Sequence, residues 1–334
     1  MNFIMNNVLV TGGTGFIGST IVDKLIENGF NVYCIVRKNS NLQWLSNKKV
    51  ELIYSDFSNL DEIFQKFNQI NYIVHVAGII AALSPNEFYK INSELTYKLI
   101  NSFTSFSKNP IKFIYISSQT VGGPAKSLLK PITENDTPNP LTNYAKSKLK
   151  AEEYIINYKD RINYTILRPA AVFGERDSGI LQIFQLVKNG FGTIIGLKDK
   201  YLNLIYAEDL AVATINSINS SLANNQIYYI AGEEKFTWDY LLTQIKNSLK
   251  KDKIIKIRVP DSIVLILGYL NGIKAKIVNK PEIFTYEKAI DFTQNYWICN
   301  TSKAREQIDL KTDRKIEDLL KKTADWYMQN GWIK

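Results

Sequence analysis

The sequence predicts an α/β fold, a doubly wound parallel sheet joined to a smaller, mostly helical lobe, and three observations predict it. An apolar run, Val8-Leu9-Val10, breaks into the glycine-dense turn Thr11-Gly12-Gly13-Thr14-Gly15-Phe16-Ile17-Gly18 and leads directly into an amphipathic stretch over residues 19–28. Short β-branched runs then alternate with amphipathic stretches through the first half of the chain, the signature of a parallel sheet covered by helices on both faces. After Gly174 that alternation loosens.

The order strand, glycines, helix is what a dinucleotide site requires. A tight turn needs a residue that tolerates positive φ, the pyrophosphate needs backbone without a Cβ in the way, and the helix must start close to the strand. Its free N–H groups then face the phosphates. Gly13, Gly15 and Gly18 satisfy G-x-G-x-x-G, and Gly12, Gly15 and Gly18 satisfy a wider spacing.

Strands are expected over residues 8–11, 31–36, 50–55, 72–77, 113–117 and 164–168, with helices over 17–28, 61–67, 87–104 and 144–158. Residues 202–206 and 226–231 read as strands returning to the sheet, and 179–188, 238–250, 262–270 and 315–330 as helices. This divides the chain into a nucleotide-binding domain over 1–173, with returning segments near 201–232, and a substrate lobe over 174–200 and 233–334. The lobe would cover the carboxyl ends of the strands, where open α/β sheets bind ligands. The strongly apolar 263–270 reads as a buried helix, with a pocket wall or a membrane-surface contact as the alternatives.

Bulk properties narrow the class. The 334 residues are 45% apolar, enough for a large core, and no window holds the ~20 unbroken apolar residues of a membrane span. Residues 1–7 are too short and polar for a signal peptide, and Cys34 and Cys299 make no disulfide framework, so the cytoplasm is the expected compartment. The formal charge of +9 is scattered through helical segments, which describes a solvated basic surface and no nucleic-acid site. It should favour anionic ligands. His75 is the only histidine, which leaves no histidine cluster for a metal; it reads as a packed residue at a strand end.

Tyr144 and Lys148 lie four residues apart on one helix face. A phenol with a pKa of about 10 is a poor acid or base at neutral pH, but a fixed ammonium and an oxidised nicotinamide both favour the phenolate. That makes Tyr144 a candidate proton donor and acceptor. The strand over 113–117 runs into Ser117-Ser118, where a hydroxyl can hold a substrate oxygen and stabilise developing charge.

Together these motifs resemble the extended short-chain dehydrogenase/reductase family, also called the NAD-dependent epimerase/dehydratase family, over nearly the whole chain. Further matches are Asp56 after the third strand, His75-Val76-Ala77-Gly78 at the fourth, Asn92, the segment Leu167-Arg168-Pro169-Ala170-Ala171-Val172-Phe173-Gly174, and Ile205-Tyr206-Ala207-Glu208-Asp209-Leu210. The resemblance implies Ser118 as catalytic hydroxyl, Tyr144 as acid/base, Lys148 as its partner and Asn92 as a further active-site residue. It implies cofactor contacts from Gly12, Thr14, Gly15, Phe16, Ile17, Gly18, Arg37, Lys38, Asp56, Phe57, Ala77, Gly78, Ser117 and Pro169, besides Tyr144 and Lys148. A homodimer built on the helices carrying Asn92 and Tyr144 is implied as well.

The second strand ends Cys34-Ile35-Val36-Arg37-Lys38, without the acid that would bind a ribose 2′-hydroxyl; Arg37 can clamp a 2′-phosphate, so NADP is expected, with NAD as the alternative. Gln119-Thr120 replace the acids of the family's dehydratases. Gly122 stands where sugar epimerases commonly carry tyrosine, and Leu202 where they carry an arginine for the substrate diphosphate. The expectation is an oxidoreductase close to the dihydroflavonol-reductase and 3β-hydroxysteroid-dehydrogenase-like branches, moving hydride between NADP(H) and a carbonyl or hydroxyl of a small organic substrate. Trp297 and the apolar segment near Ile263 suit a less polar pocket. The alternatives are a nucleotide-sugar epimerase with tightly held cofactor, and a non-catalytic sensor, which retention of Ser118, Tyr144 and Lys148 disfavours.

Overall fold

The computed structural model describes residues 6–333. Six strands, β1 (Asn7–Thr11), β2 (Asn31–Val36), β3 (Val50–Tyr54), β4 (Tyr72–His75), β5 (Lys112–Ile116) and β6 (Asn163–Pro169), join an edge strand, Gln226–Ile230, in one parallel sheet. The order is edge strand, β6, β5, β4, β1, β2, β3.

β1 shows why these runs are apolar throughout. A strand buried on both faces sends alternate side chains into two different cores. Val8 and Val10 enter one core with Ile21, Leu25, Leu210 and Ala211, while Leu9 enters the other with Phe64, Leu99, Phe103 and Phe113. Helices Phe16–Glu27 and Ala207–Asn219 cover the first face; Leu60–Lys66, Leu95–Phe106 and Asn143–Ile156 cover the second. The fold is therefore doubly wound. Its strand order reverses beside β1, which has β2 on one side and β4 on the other, and opens a crevice at their carboxyl ends.

Several expectations are corrected. Residues 87–104 do not form one α-helix: Pro85–Phe88 and Leu95–Phe106 flank a wider π turn, Tyr89–Glu94, which contains Asn92. Such insertions frequently mark functional positions. Residues 202–206 do not return to the main sheet. Beyond β6 the chain continues as Ala171–Phe173, and Leu204–Tyr206 pairs with that continuation, while Tyr201–Leu202 lies between Phe236–Thr237 and Tyr296–Trp297. The returning strand is Gln226–Ile230, which takes the edge beside β6.

In the lobe, helices Ser178–Lys188, Trp238–Ser248 and Ile316–Gln329 share a core through Phe184, Leu242, Leu320 and Tyr327, joined by small strands including the pair Phe191–Ile195 and Ile255–Val259. Ser302–Ile308 does not belong with them despite lying within 233–334. Ala304 and Ile308 pack into the β1 core, and the hydroxyls of Ser220 and Tyr228 donate to Gln307. The buried-helix reading of 263–270 is overturned too. In helix Asp261–Ile277, Ile263, Ile266, Leu267 and Leu270 are exposed, because the helix is attached on one side only. Among the described residues no helix is long and apolar enough to cross a membrane.

Candidate active site

The glycine turn is built for close approach. Gly12 adopts φ +74°, and a Cβ there would stand 2.7 Å from the Ala77 backbone nitrogen; one on Gly18 would collide with the Gly12 carbonyl. Gly15 N–H donates to that carbonyl at 3.0 Å and begins the helix Phe16–Glu27, whose first turn has no side-chain cap. The geometry thus uses Gly12, Gly15 and Gly18, whereas Gly13 serves packing, its missing Cβ facing Cys34 Sγ at 2.9 Å. Thr14, Gly15, Phe16 and Ile17 are partly to fully exposed around free helix N–H groups, as an anionic diphosphate requires.

The other expected cofactor residues lie at successive strand ends: Arg37 and Lys38 after β2, Asp56 and Phe57 after β3, Ala77 and Gly78 after β4, Pro169 at the end of β6. Arg37 and Lys38 are exposed. Asp56 accepts from Ser58 N–H at 3.0 Å, and these hydrogen bonds with Ser58 hold its carboxyl below the usual range. The glycine turn, with these residues at the neighbouring strand ends, fits a dinucleotide.

Two expected site residues are held in internal hydrogen bonds. Asn92 is buried, and its amide is committed: Oδ1 accepts from Ile79 N–H at 2.8 Å, while Nδ2 donates to Ile79 O at 3.1 Å and Ser147 Oγ at 3.0 Å. It ties the strand-end loop to the Tyr144 helix, as a positioning residue. Ser117 is likewise buried and donates to Glu152, which also accepts from Arg168 Nε at 3.1 Å and Nη2 at 2.6 Å. Arg168 in turn donates to the Tyr229 hydroxyl at 3.2 Å. That hydroxyl fills the space beside Gly122, where any Cβ would collide with it.

Helix Asn143–Ile156 starts on Thr142, whose Oγ1 accepts from Ala145 N–H at 3.2 Å, and this cap places Tyr144 in the first turn facing Ser118. Ser118 caps a short 3₁₀ turn; its Oγ accepts from Thr120 N–H at 3.2 Å and lies 2.8 Å from Thr120 Oγ1. Burial pushes the Tyr144 phenol up to about 12; hydrogen bonding to Ser118 opposes the shift and the Asp291 charge adds to it. Lys148 Nζ donates to Ile116 O at 2.7 Å and lies 4.2 Å from the Tyr115 ring centroid. Burial brings Lys148 down to about 7, opposed by Glu152. His75 is structural: its ring bonds Thr11 Oγ1 at 2.6 Å and Thr96 Oγ1 at 2.8 Å, and burial holds it neutral, near 3.

Ser118 and Tyr144 line a cavity of about 590 Å³ together with Phe88, Leu202, Trp238, Ile273, Phe292 and Trp297, and with the polar Asn203, Thr285, Glu287 and Lys288. Leu202 and Trp297 are where an apolar pocket needs them. Sequence reasoning missed Asp291, a buried carboxyl on this wall, raised to about 6 by burial. It arrives on helix Tyr286–Thr293, which the sequence pattern did not mark. Glu152 was also missed, although a carboxylate four residues after Lys148 on a helix was the available signal. Replacing Asp291 with Asn removes a charge that raises Tyr144, so the pH profile of any step that uses the Tyr144 phenolate should move to lower pH. An unmoved profile would separate the two groups.

Residues 8–231 match the NAD dependent epimerase/dehydratase family. The chain is 23% identical to the ceramide reductase of Caulobacter vibrioides, over 98% of this chain and 96% of that protein. It is 25% identical to the N-acetyl-α-D-glucosaminyl-diphospho-ditrans,octacis-undecaprenol 4-epimerase of Escherichia coli O157:H7, over 82% of each. Its fold is similar to that of the UDP-glucose 4-epimerase of Thermotoga maritima, with a TM-score of 0.78 at 22% identity, covering 97% of this chain and 99% of that one. With its glycine cradle, strand-end residues and Ser118–Tyr144 cavity in place, the chain belongs to the NAD dependent epimerase/dehydratase family, as an NAD(P)-dependent oxidoreductase or epimerase of the extended short-chain dehydrogenase type.

Proposed function

We propose that the chain catalyses a net, reversible interconversion of a carbonyl and a hydroxyl group on a largely apolar substrate, with NADP(H) as the exchanged cofactor. The observation that carries this reading is the cavity wall: aromatic and aliphatic side chains make up most of it, with Tyr144 and Ser118 among its polar groups. Leu202 offers no charge to a substrate diphosphate, and of the lining cations Lys276 and Lys288, the second lies 3.8 Å from Asp291. The similarity to a ceramide reductase over nearly the full length of both chains supports a substrate of that character.

The dinucleotide, when bound, supplies the hydride donor and acceptor. Ser118 holds the carbonyl oxygen by a hydrogen bond that strengthens as charge develops there. Tyr144 delivers the proton to that oxygen. With its phenol near 12, Tyr144 is protonated at neutral pH, the form reduction needs, whereas oxidation needs the phenolate and gains rate as pH rises. Lys148, close to Gly78 and buried, positions the nicotinamide ribose and restores the proton on Tyr144.

Exposed at the end of β2, Arg37 is the proposed clamp for a 2′-phosphate. Arg37→Asp should weaken NADP binding by roughly 10-fold or more, the worth of one charged hydrogen bond, and favour NAD. Equal NADP affinity in a fluorescence titration would show that Arg37 does not hold the 2′-phosphate. We further propose that helices Leu95–Phe106 and Asn143–Ile156 pair across a homodimer, with exposed Tyr97 and its neighbour Tyr154 in the contact. Light scattering giving the mass of one chain would overturn that.

A further inference from the structure

Helix Asp261–Ile277 has three faces with different surroundings. Val264, Gly268 and Ala275 are buried against the lobe, and a Cβ on Gly268 would stand 2.8 Å from both Ala289 Cβ and Thr285 O, so the helix is seated tightly. Tyr269, Gly272, Ile273 and Lys276 line the cavity. The third face carries Ile263, Ile266, Leu267, Leu270 and Ile277 within about 100° of the helix circumference, at spacings of three, four and seven residues. Ile266, Leu270 and Ile277 are 57%, 54% and 78% exposed. An apolar stripe of this kind normally turns inward; here it faces solvent and borders the cavity face of the same helix.

Its charge is one-sided. Residues 262–281 contain Lys274, Lys276 and Lys280 and no acid, with Asp261 and Glu282 just outside; Lys274 lies 3.8 Å from Glu282. A second copy of this helix would bring no carboxylate from the stripe to meet Lys274 and Lys280, whereas anionic headgroups would meet them beside it; Lys276 stays on the cavity face. We propose that this stripe docks the protein on an anionic lipid bilayer, with Ile263, Ile266, Leu267, Leu270 and Ile277 in the headgroup boundary, so that the cavity opens at the membrane surface and draws a lipid substrate from it. Docking stands on the helix alone; the lipid substrate also rests on the carbonyl–hydroxyl reading above.

The test is flotation with vesicles of phosphatidylcholine, with and without one quarter phosphatidylglycerol. The full-length protein should float with the anionic vesicles, less so at high salt. Ile266→Asp combined with Leu270→Asp should reduce the bound fraction about 10-fold while its thermal midpoint and NADPH binding match the parent. Tyr144→Phe should float as the parent does, so that failure of the proposed chemistry and failure of docking read out separately. A parent protein that stays with the unbound fraction, or a double variant that floats equally, overturns the proposal. So does light scattering that shows the stripe closing a dimer which the double variant dissolves.

Discussion

Tyr144→Phe is expected to lower turnover by roughly 10²- to 10⁴-fold, the range for loss of a positioned general acid. The substitution removes one oxygen and leaves the ring, whose edge contact with Phe88 at 6.2 Å between centroids needs no hydroxyl. The glycine cradle and the residues after β2, β3 and β4 are untouched, so dinucleotide affinity should be unchanged. Steady-state rates and a cofactor titration on the same preparation separate these quantities. A variant with parental turnover would transfer the proton-donor role elsewhere.

Glu152→Ala should produce the largest loss of stability. Glu152 is 1% exposed and accepts from Ser117 and, through both carboxylate oxygens, from the buried Arg168 guanidinium. Removing it strands a cation that cannot shed its proton, whereas the intact pair is neutral as a unit. Losing one partner of a buried pair costs about 3–5 kcal/mol, out of a typical total of about 5–15 kcal/mol. Urea unfolding should show a lower midpoint, with the slope unchanged if the unfolding stays two-state. The same change removes a charge that raises Lys148, so Lys148 should titrate below its present value of about 7. A loss under about 1 kcal/mol would show that water or rearrangement already compensates Arg168.

Legibility followed how local the signal was. The glycine turn and the strand-end motifs lie within a few residues of each other in sequence, so their spacing carried both conformation and placement. Tyr144 was legible because its helix and cap are local. Its elevated pKa was not, since that depends on burial in the cavity and on Asp291, 147 positions away along the chain. The internal hydrogen bonds of Asn92 and Ser117 were not legible, because only packing decides whether an amide or hydroxyl faces a ligand or a neighbour. The lobe was hardest: Tyr201–Leu202, Phe236–Thr237 and Tyr296–Trp297 are strands of two residues, too short to show a period. In residues 263–270 the apolar pattern was visible, but periodicity cannot say what a face meets.

Net redox chemistry at Tyr144 is tested by cofactor stoichiometry. Long-chain ketones and nucleotide-sugars would be incubated in turn with the protein and NADPH, following cofactor absorbance and product identity together. One NADPH should be oxidised per ketone reduced, with no conversion of the sugars. Sugar epimerised without net change in cofactor, with ketones untouched, would contradict it.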